Sequence, residues 1–395
     1  MRVVYFLDNF YPQINGVVTS SINTFNEMKR LGHDVIAFAP MPKKSDMKKF
    51  PADYFPEHLN WEKPALPAYF YPDFYFCNPF SNKILRMVRD FKPDLIHFHA
   101  PMSLGYQAIR IARKLNVPVV GTFHTFFAEP EYFKVIGCEK VKLFQIWGWA
   151  YSNAFFDRVD EVVSPGIQTA SILKDKNTHG HITIVSNGVE VKKYQNFTFT
   201  GQTFFDEDPA KDYIIYTGRV SEEKCLEVLL DAMALTVKQR PNTVLVIVGG
   251  GPSISKLRRR ADNLGIRQNV IFTGMIPNKN LLESGLLKRM KLFVTPSTSE
   301  NQPMTIIEAI AFGLPIVGVN AKGVPELIED NGIIVEPNQP ALLSDAILRI
   351  LNDPALHRQY SERSIALSAK YDIENTTSKM LELYRKVIRE YEMES

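Results

Sequence analysis

Two pairs of charged residues stand where they could do chemistry. In "YTGRVSEEKCLEVLL", Arg219 and Lys224 flank the start of a helical pattern that follows a strand-like run. A helix N-terminus already carries partial positive charge, so cations are favoured at the opposite end. Two cations at an N-terminus therefore point to an anion held there. Arginine would make a forked contact to phosphate and lysine a point contact. The competing reading is two solvated surface cations offset by Glu222 and Glu223. The second pair lies in "PSTSENQPMTIIEAIAFGLPIV", where Glu300 and Glu308 stand on either side of Pro303. Pro303 suits the first position of a helix, which turns the N–H groups of Met304 and Thr305 out of the helix end. Eight helical residues span roughly 12 Å. The two carboxyl groups of a glycosidase are only roughly 5 to 9.5 Å apart. The acids are better placed to hold hydroxyls at different points of an elongated ligand. A capping box of Ser299 with Gln302 is the alternative, which Pro303 fits poorly.

Other motifs are weaker. In "DNFYPQINGVVTSS", Gly16 sits where a strand–loop–helix turn brings backbone close to a ligand, and the N–H groups of the following helix favour an anion. An ordinary turn glycine explains it equally well. At "VGGGPSI" the spacing reaches Gly249 and Gly251, but Ile254 occupies the third glycine position of a dinucleotide fingerprint, which disfavours a nicotinamide-binding fold. His97 and His99 alternate onto one face of a strand. With no nearby carboxylate or third ligand, they read as cleft-lining or packing residues rather than a metal pair. His124 on its own reads as a core histidine. "DED" at 206–208 is the nearest approach to a metal-binding Asp-x-Asp and reads as surface charge. "KLRRR" at 256–260 lacks an aromatic platform and reads as a solvated helix face, so no nucleic-acid partner is expected.

The elements that must position these residues alternate along the chain. "VVYFL", "DVIAFA", "LIHFH" and "VPVVGTFH" are strand-like, with helical stretches at 19–31 and 104–115. A second set runs through "YIIYTG", "VLVIVGG", "VIFTG", "LFVTPS" and "PIVGVN". Such alternation implies parallel sheets covered by helices, hence an α/β fold of two doubly wound, Rossmann-like domains. The expected boundaries are 1–198, 199–373, and a charged amphipathic helix at 374–395 that returns to the first domain. Residues 41–82 read as an irregular excursion rich in Pro and aromatics. Ligands of open α/β sheets bind beyond the carboxyl ends of the strands, so two such domains are expected to face each other across a cleft.

At 395 residues, 45% of them hydrophobic, the chain suits two or three domains with full cores. It has no apolar run of 18 residues. The opening "MRVVYFLD" lacks the length and cleavage site of a signal peptide. The three cysteines fit a reducing cytosol and no zinc motif. Residues 1–200 carry 23 Lys and Arg against 18 Asp and Glu, and hold 34 of the 45 Phe, Tyr and Trp. That bias fits either an aromatic core or contact with something apolar and anionic, such as a membrane surface. Within it, "CEKVKLFQIWGWAYSNAFF" at 138–156 places Val141, Phe144, Gly148, Tyr151 and Phe155 on one helical face. Lys140 and Lys142 flank that face, and Trp147 and Trp149 fall elsewhere. A buried core helix and an interfacial membrane helix both fit.

Taken together, "GRVSEEK", the "SE" of Glu300 and the acid at Glu308 resemble the nucleotide-sugar domain of GT-B glycosyltransferases, with retaining family 4 the nearest. "PQINGVVTS", "FHTFF", "VSNGVE" and "VIFTGMIP" fall where that family has signatures, and the resemblance covers nearly the whole chain. The aromatic-rich first half and "PQINGVVTS" are similar to bacterial enzymes that glycosylate diacylglycerol. The resemblance implies an N-terminal acceptor domain and a C-terminal donor domain. Arg219 and Lys224 would neutralise a diphosphate, with Gly218 in the same loop. Glu308 would hold ribose hydroxyls and Glu300 the transferred hexose. Backbone near Met275 and Ile276 would read uracil, and Met304 and Thr305 would line the helix tip. Gly16 would close on the phosphates or sugar, and His124 would reach the sugar from the acceptor side. Phe126, Phe127, Lys140, Lys142, Trp147 and Trp149 would serve the acceptor and membrane. The implied reaction moves glucose or galactose from a UDP-sugar to diacylglycerol with retention and without a required metal or cofactor. It would take place at the inner face of the cell membrane. A soluble or glycan acceptor is the runner-up, and a non-catalytic sugar-binding protein the reading of another class. One departure stands out: Gln302 and Pro303 replace the family's aromatic–glycine pair after Glu300, which bears on sugar identity.

Overall fold

The computed structural model describes residues 1–13, 15–47, 57–63, 65–67, 74–124, 142–196 and 198–394. The chain divides into two compact units. One is Met1–Gly188 with Ile373–Ser395, and the other is Val189–Asp372.

The first unit is built on a seven-stranded sheet. Its strands are β1 (Arg2–Phe6), β2 (Asp34–Pro40), β3 (Leu59–Glu62), then, past a small antiparallel hairpin β4 (Ala65–Pro67) and β5 (Tyr75–Cys77), β6 (Leu95–Phe98), β7 (Val119–Thr122), β8 (Glu161–Ser164) and β9 (Ile182–Ile184). The order is β3-β2-β1-β6-β7-β8-β9, and every pairing in it is parallel. Strand β1 shows why it sits at the centre. Val4 and Phe6 enter one core while Val3, Tyr5 and Leu7 enter another on the opposite face. A strand buried on both faces reads as continuous apolar sequence, which is how "VVYFL" reads.

The second unit repeats the plan with β10 (Asp212–Thr217), β11 (Thr243–Val248), β12 (Val270–Gly274), β13 (Leu292–Val294), β14 (Ile316–Val319) and β15 (Gly332–Val335). Their order is β12-β11-β10-β13-β14-β15, again parallel throughout. Tyr213 and Ile215 of β10 face one core, and Ile214 and Tyr216 the other. The loops after β10 and β11 meet backbone to backbone. Gly249 has φ of +149°, and a Cβ there would lie 1.8 Å from the Gly218 carbonyl oxygen. The glycine run "VGGG" therefore serves loop packing.

The units divide before the helix Val191–Asn196, earlier than the expected boundary at 198. Val191 and Tyr194 of that helix join the apolar core of the second unit, with Tyr194 stacked on Phe312 at 5.2 Å. The preceding Asn187 and Gly188 are tied to the helix Gly16–Arg30 instead. Ser20 Oγ donates to Asn187 Oδ1 (2.6 Å), and Asn23 Nδ2 donates to the Gly188 carbonyl (3.1 Å).

The C-terminal helix Ile373–Glu394 belongs to the first unit. Met380, Leu381, Leu383, Tyr384 and Val387 lie in the core that holds Tyr5 and Phe25. The Tyr384 hydroxyl is 2.5 Å from His97 Nδ1 and 3.2 Å from the Tyr5 hydroxyl, all fully buried. Removing a buried hydrogen-bond partner leaves the other group desolvated and unpaired. Tyr384→Phe is accordingly expected to lower unfolding free energy by about 1–3 kcal/mol, measured by urea denaturation. A variant within about 0.3 kcal/mol of wild type would show that this bond does not anchor the helix.

Candidate functional site

The order of the second sheet reverses between β10 and β13. At such a point the connections leave the two strands in opposite directions and open a crevice at their carboxyl ends. The loop after β10 carries Gly218 and Arg219. Gly218 has φ of +147°, a region open to glycine at little cost. The Tyr216 hydroxyl donates to the Arg219 carbonyl (3.1 Å), which ties the loop back over its strand. The Arg219 side chain is exposed. Lys224 ends a short 3₁₀ turn, Glu222–Lys224, and the α-helix begins only at Leu226, after Cys225 in left-handed geometry. Lys224 is thus in the entry turn rather than in the helix.

Lys224 Nζ donates to Glu300 Oε1 at 2.7 Å, with the two side chains only 16% and 18% exposed. Glu300 follows β13, and its carbonyl accepts from the Gly323 N–H (3.0 Å). A Cβ at Gly323 would lie 1.3 Å from the Asn301 carbonyl oxygen, so only glycine allows this approach. The expected phosphate-binding lysine and the expected hexose-binding acid are in direct contact.

The helix after Glu300 runs Met304–Ala311, with Pro303 at the capping position rather than the first helical one. Pro303 has ψ of 117°, which keeps it outside the helix. No side chain caps this end, so the Ser299–Gln302 box does not form. Met304 is buried and Thr305 half-buried. Glu308, one turn further in, is 2% exposed, and Asn278 Nδ2 donates to its Oε1 at 2.8 Å. Burial pushes the Glu308 carboxyl up to about 7, against the lowering effect of Asn278. Met275 and Ile276 follow β12; Met275 is 64% exposed and Ile276 is half-buried against the core. Gly218, Arg219, Lys224, Met275, Ile276, Glu300, Met304, Thr305 and Glu308 therefore all emerge from the same strand-end edge of one sheet. Asn278 was not anticipated. Its only sequence signal is a polar residue just after the strand-end "GMIP".

In the first unit, Gly16 is the exposed first residue of the helix Gly16–Arg30, which starts three residues before the expected 19. Asn15 caps it, accepting from the Val18 N–H at 3.1 Å. Asp8, at the end of β1, caps the neighbouring helix Ser103–Leu115 from outside. It accepts from Ser103 Oγ and from the N–H groups of Leu104 and Gly105, all at 2.8 Å. Burial nevertheless raises its carboxyl to about 6. His97 is a core residue held between Tyr384 and Thr122 Oγ1 (2.7 Å), and burial lowers it to about 3. His99 stacks on His97 at 4.3 Å, and its Nδ1 lies 3.2 Å from Ser21 Oγ and 3.1 Å from His124 Nε2. His124 is half-buried and lowered to about 4 by desolvation. Among the described residues, no group of three His, Cys, Asp or Glu side chains is placed to hold a metal. Glu207 of "DED" pairs with Arg289, and Lys256 and Arg260 of "KLRRR" pair with Glu227 and Asp231.

Phe126, Phe127 and Lys140 lie outside the described residues, as does the side chain of Lys142. The helix Lys142–Phe156 separates the two tryptophans. Trp147 is 69% exposed, whereas Trp149 is 7% exposed and stacked on Phe123 at 6.1 Å. Two residues turn an α-helix by about 200°, so the pair cannot share a face. Trp149 is therefore a core residue and is withdrawn from the expected membrane set. Phe155 is also buried, while Leu143, Phe144, Ile146, Trp147 and Tyr151 are exposed. No helix among the described residues is long and apolar enough to cross a membrane.

Glu308 binds its proton more tightly in the folded chain than at its ordinary value of 4.5. Its contribution to stability is complete below pH 4.5 and is lost as pH rises through about 7. Glu308→Gln keeps an acceptor for Asn278 and removes the titration. The variant is expected to be more stable than wild type above pH 7, by about 1–3 kcal/mol, with the gap closing toward pH 4.5. Denaturation midpoints between pH 4.5 and 8 measure it. A gap independent of pH would contradict this assignment.

Residues 14–193 match the family described as Glycosyltransferase Family 4, and residues 202–366 match the one described as Glycosyl transferases group 1. The chain is 28% identical over 345 residues to an alpha-monoglucosyldiacylglycerol synthase of Streptococcus pneumoniae, covering 84% of this chain and 74% of that one. It is 25% identical over 347 residues to a GDP-mannose-dependent alpha-mannosyltransferase of Corynebacterium glutamicum, covering 85% and 77%. The crystal structure of Anabaena HepE in complex with UDP superposes with a TM-score of 0.74 at 17% identity, over 98% of this chain and all of that one. Two family matches, which between them take in every strand of the two parallel sheets except β1, place the chain among the family 4 glycosyltransferases of GT-B fold.

Proposed function

We propose that the protein is a retaining hexosyltransferase. It moves glucose or galactose from a UDP-sugar to the hydroxyl of diacylglycerol at a membrane surface, without a required metal. The observation that carries this reading is the cluster at the β10/β13 switch point, where Arg219 and the Lys224–Glu300 pair stand on one edge with the buried acid Glu308. Cleaving a nucleotide-sugar leaves charge on a diphosphate. Fixed cations and a helix N-terminus aimed at it stabilise that charge as it develops. In this reading Arg219 grips the diphosphate by a forked contact, and Lys224 by a point contact. Gly218 and the N–H groups of Met304 and Thr305 complete the cradle. Glu300 accepts from hexose hydroxyls and Glu308 from the ribose. Backbone at Met275 and Ile276 reads the base. In the first unit, Gly16 and His124 serve the sugar and acceptor.

The bond between the sugar's anomeric carbon and the phosphate oxygen breaks, and the bond to the acceptor oxygen forms on the same face. The acceptor proton passes to the departing phosphate oxygen. No enzyme nucleophile is then required. UDP in the HepE crystal and the name of the Streptococcus relative support the donor and the acceptor respectively. The Corynebacterium relative favours a second reading, with a GDP-mannose donor and a different acceptor. The exposed stripe Leu143, Phe144, Ile146, Trp147 and Tyr151 supports contact with lipid, since Trp and aliphatic side chains partition to the headgroup boundary.

Arg219→Ala is expected to lower turnover by about 10²- to 10³-fold, with the unfolding midpoint unchanged, in a transfer assay run with UDP-sugar and diacylglycerol in the presence of EDTA. Near-wild-type turnover would remove the phosphate role, and loss of wild-type activity restored by Mn²⁺ would remove metal independence. Anionic liposomes are expected to sediment the wild type at low salt, and Ile146→Ser with Trp147→Ser together to leave the protein in the supernatant. Equal sedimentation of the two would place the lipid contact elsewhere.

A further inference from the structure

Lys224 and Glu300 are assigned different parts of one substrate, yet the structure pairs them with each other. The contact is 2.7 Å and charge-assisted, and neither side chain is more than 18% exposed. Local alternatives for Lys224 are already engaged. Glu223 accepts from Ser221 Oγ, and Glu222 faces Lys256. Glu300 is fixed from behind, because its carbonyl accepts from Gly323 in a contact that admits no side chain. The backbone at Glu300 is therefore held in place, and from it the side chain reaches the Lys224 ammonium.

We propose that Glu300 competes with the departing diphosphate for Lys224 and so drives release of the nucleoside diphosphate after transfer. This rests on the donor-site reading above. While a nucleotide-sugar is bound, hexose hydroxyls donate to Glu300, and its charge is satisfied without Lys224, which turns to the phosphates. Transfer removes those hydroxyls. Glu300 is then left as an unpaired carboxylate beside a diphosphate, and both compete for one ammonium. Repulsion between the two anions and recovery of the ion pair act in the same direction, weakening the hold on the product but not on the intact donor. The acid that selects the substrate thereby ejects the nucleotide.

The test is calorimetric titration of UDP, which lacks the hexose, into wild type, Glu300→Gln, Lys224→Ala and the double variant. Glutamine keeps the shape of Glu300 and removes its charge. The expected result is UDP binding tighter in Glu300→Gln than in wild type by about fivefold, the upper end for a partly exposed ion pair. In the Lys224→Ala background the same change should yield about twofold or less, because the contested ammonium is gone. UDP affinity in Glu300→Gln equal to or weaker than wild type would overturn the proposal. So would an equal gain with and without Lys224. Failure of UDP to bind the wild type at all would overturn the donor-site reading beneath it.

Discussion

In a parallel sheet, every strand delivers its carboxyl end to the same edge, and only at the reversal of strand order do adjacent connections part. That constraint decides where this molecule can hold a ligand. In the second unit the reversal falls between β10 and β13, and those two strands end in the loops that carry Arg219 and Glu300. The rest of the unit keeps that edge in order. Gly249 and Gly251 let neighbouring loops pack backbone on backbone, and Gly323 does the same behind Glu300. A Cβ at any of these three positions would lie 2.2 Å or less from a backbone carbonyl oxygen, so the loops would have to part.

The site is electrostatically organised before any substrate is considered. A cation at a helix entry is unfavourable alone, and Lys224 is offset by an acid from a distant loop. Glu308 is buried where a carboxylate is costly, and one hydrogen bond from Asn278 compensates only in part. The first unit shows the opposite use of buried polarity. Asp8 satisfies a helix N-terminus, and His97 is bonded on both sides within the core. These groups stabilise the fold and have no partner left to offer a ligand, which is why the paired histidines of "LIHFH" divide into a packing residue and one that reaches His124.

Much of this was legible in the sequence because it is local. Central strands are apolar on both faces and stand out as runs, and the charged residues at their ends lie within a few positions of them. The strands "LNWE", "ITI" and "GIIV" at the sheet edges, and "EVVS" between β7 and β9, are only three or four residues long and do not stand out as runs. What could not be read is non-local. The Lys224–Glu300 contact joins residues 76 apart, and Asn278–Glu308 joins residues 30 apart, and the residues around each partner do not point to the other. Helix phase was the other obstacle. Trp147 and Trp149 look equivalent in "FQIWGWAY", and only the packing of Phe123 decides that one is core and the other exposed. Likewise the expected boundary at 198 falls late, because the apolar face of Val191 and Tyr194 belongs to the second core.

A crystal structure of the protein soaked with UDP tests most directly whether the strand-end edge at β10 and β13 grips a nucleoside diphosphate. Diphosphate oxygens are expected within hydrogen-bonding distance of the Arg219 guanidinium and the Lys224 ammonium, with the ribose hydroxyls on Glu308. Nucleotide density at any other place, or ribose hydroxyls that do not meet Glu308, would contradict it.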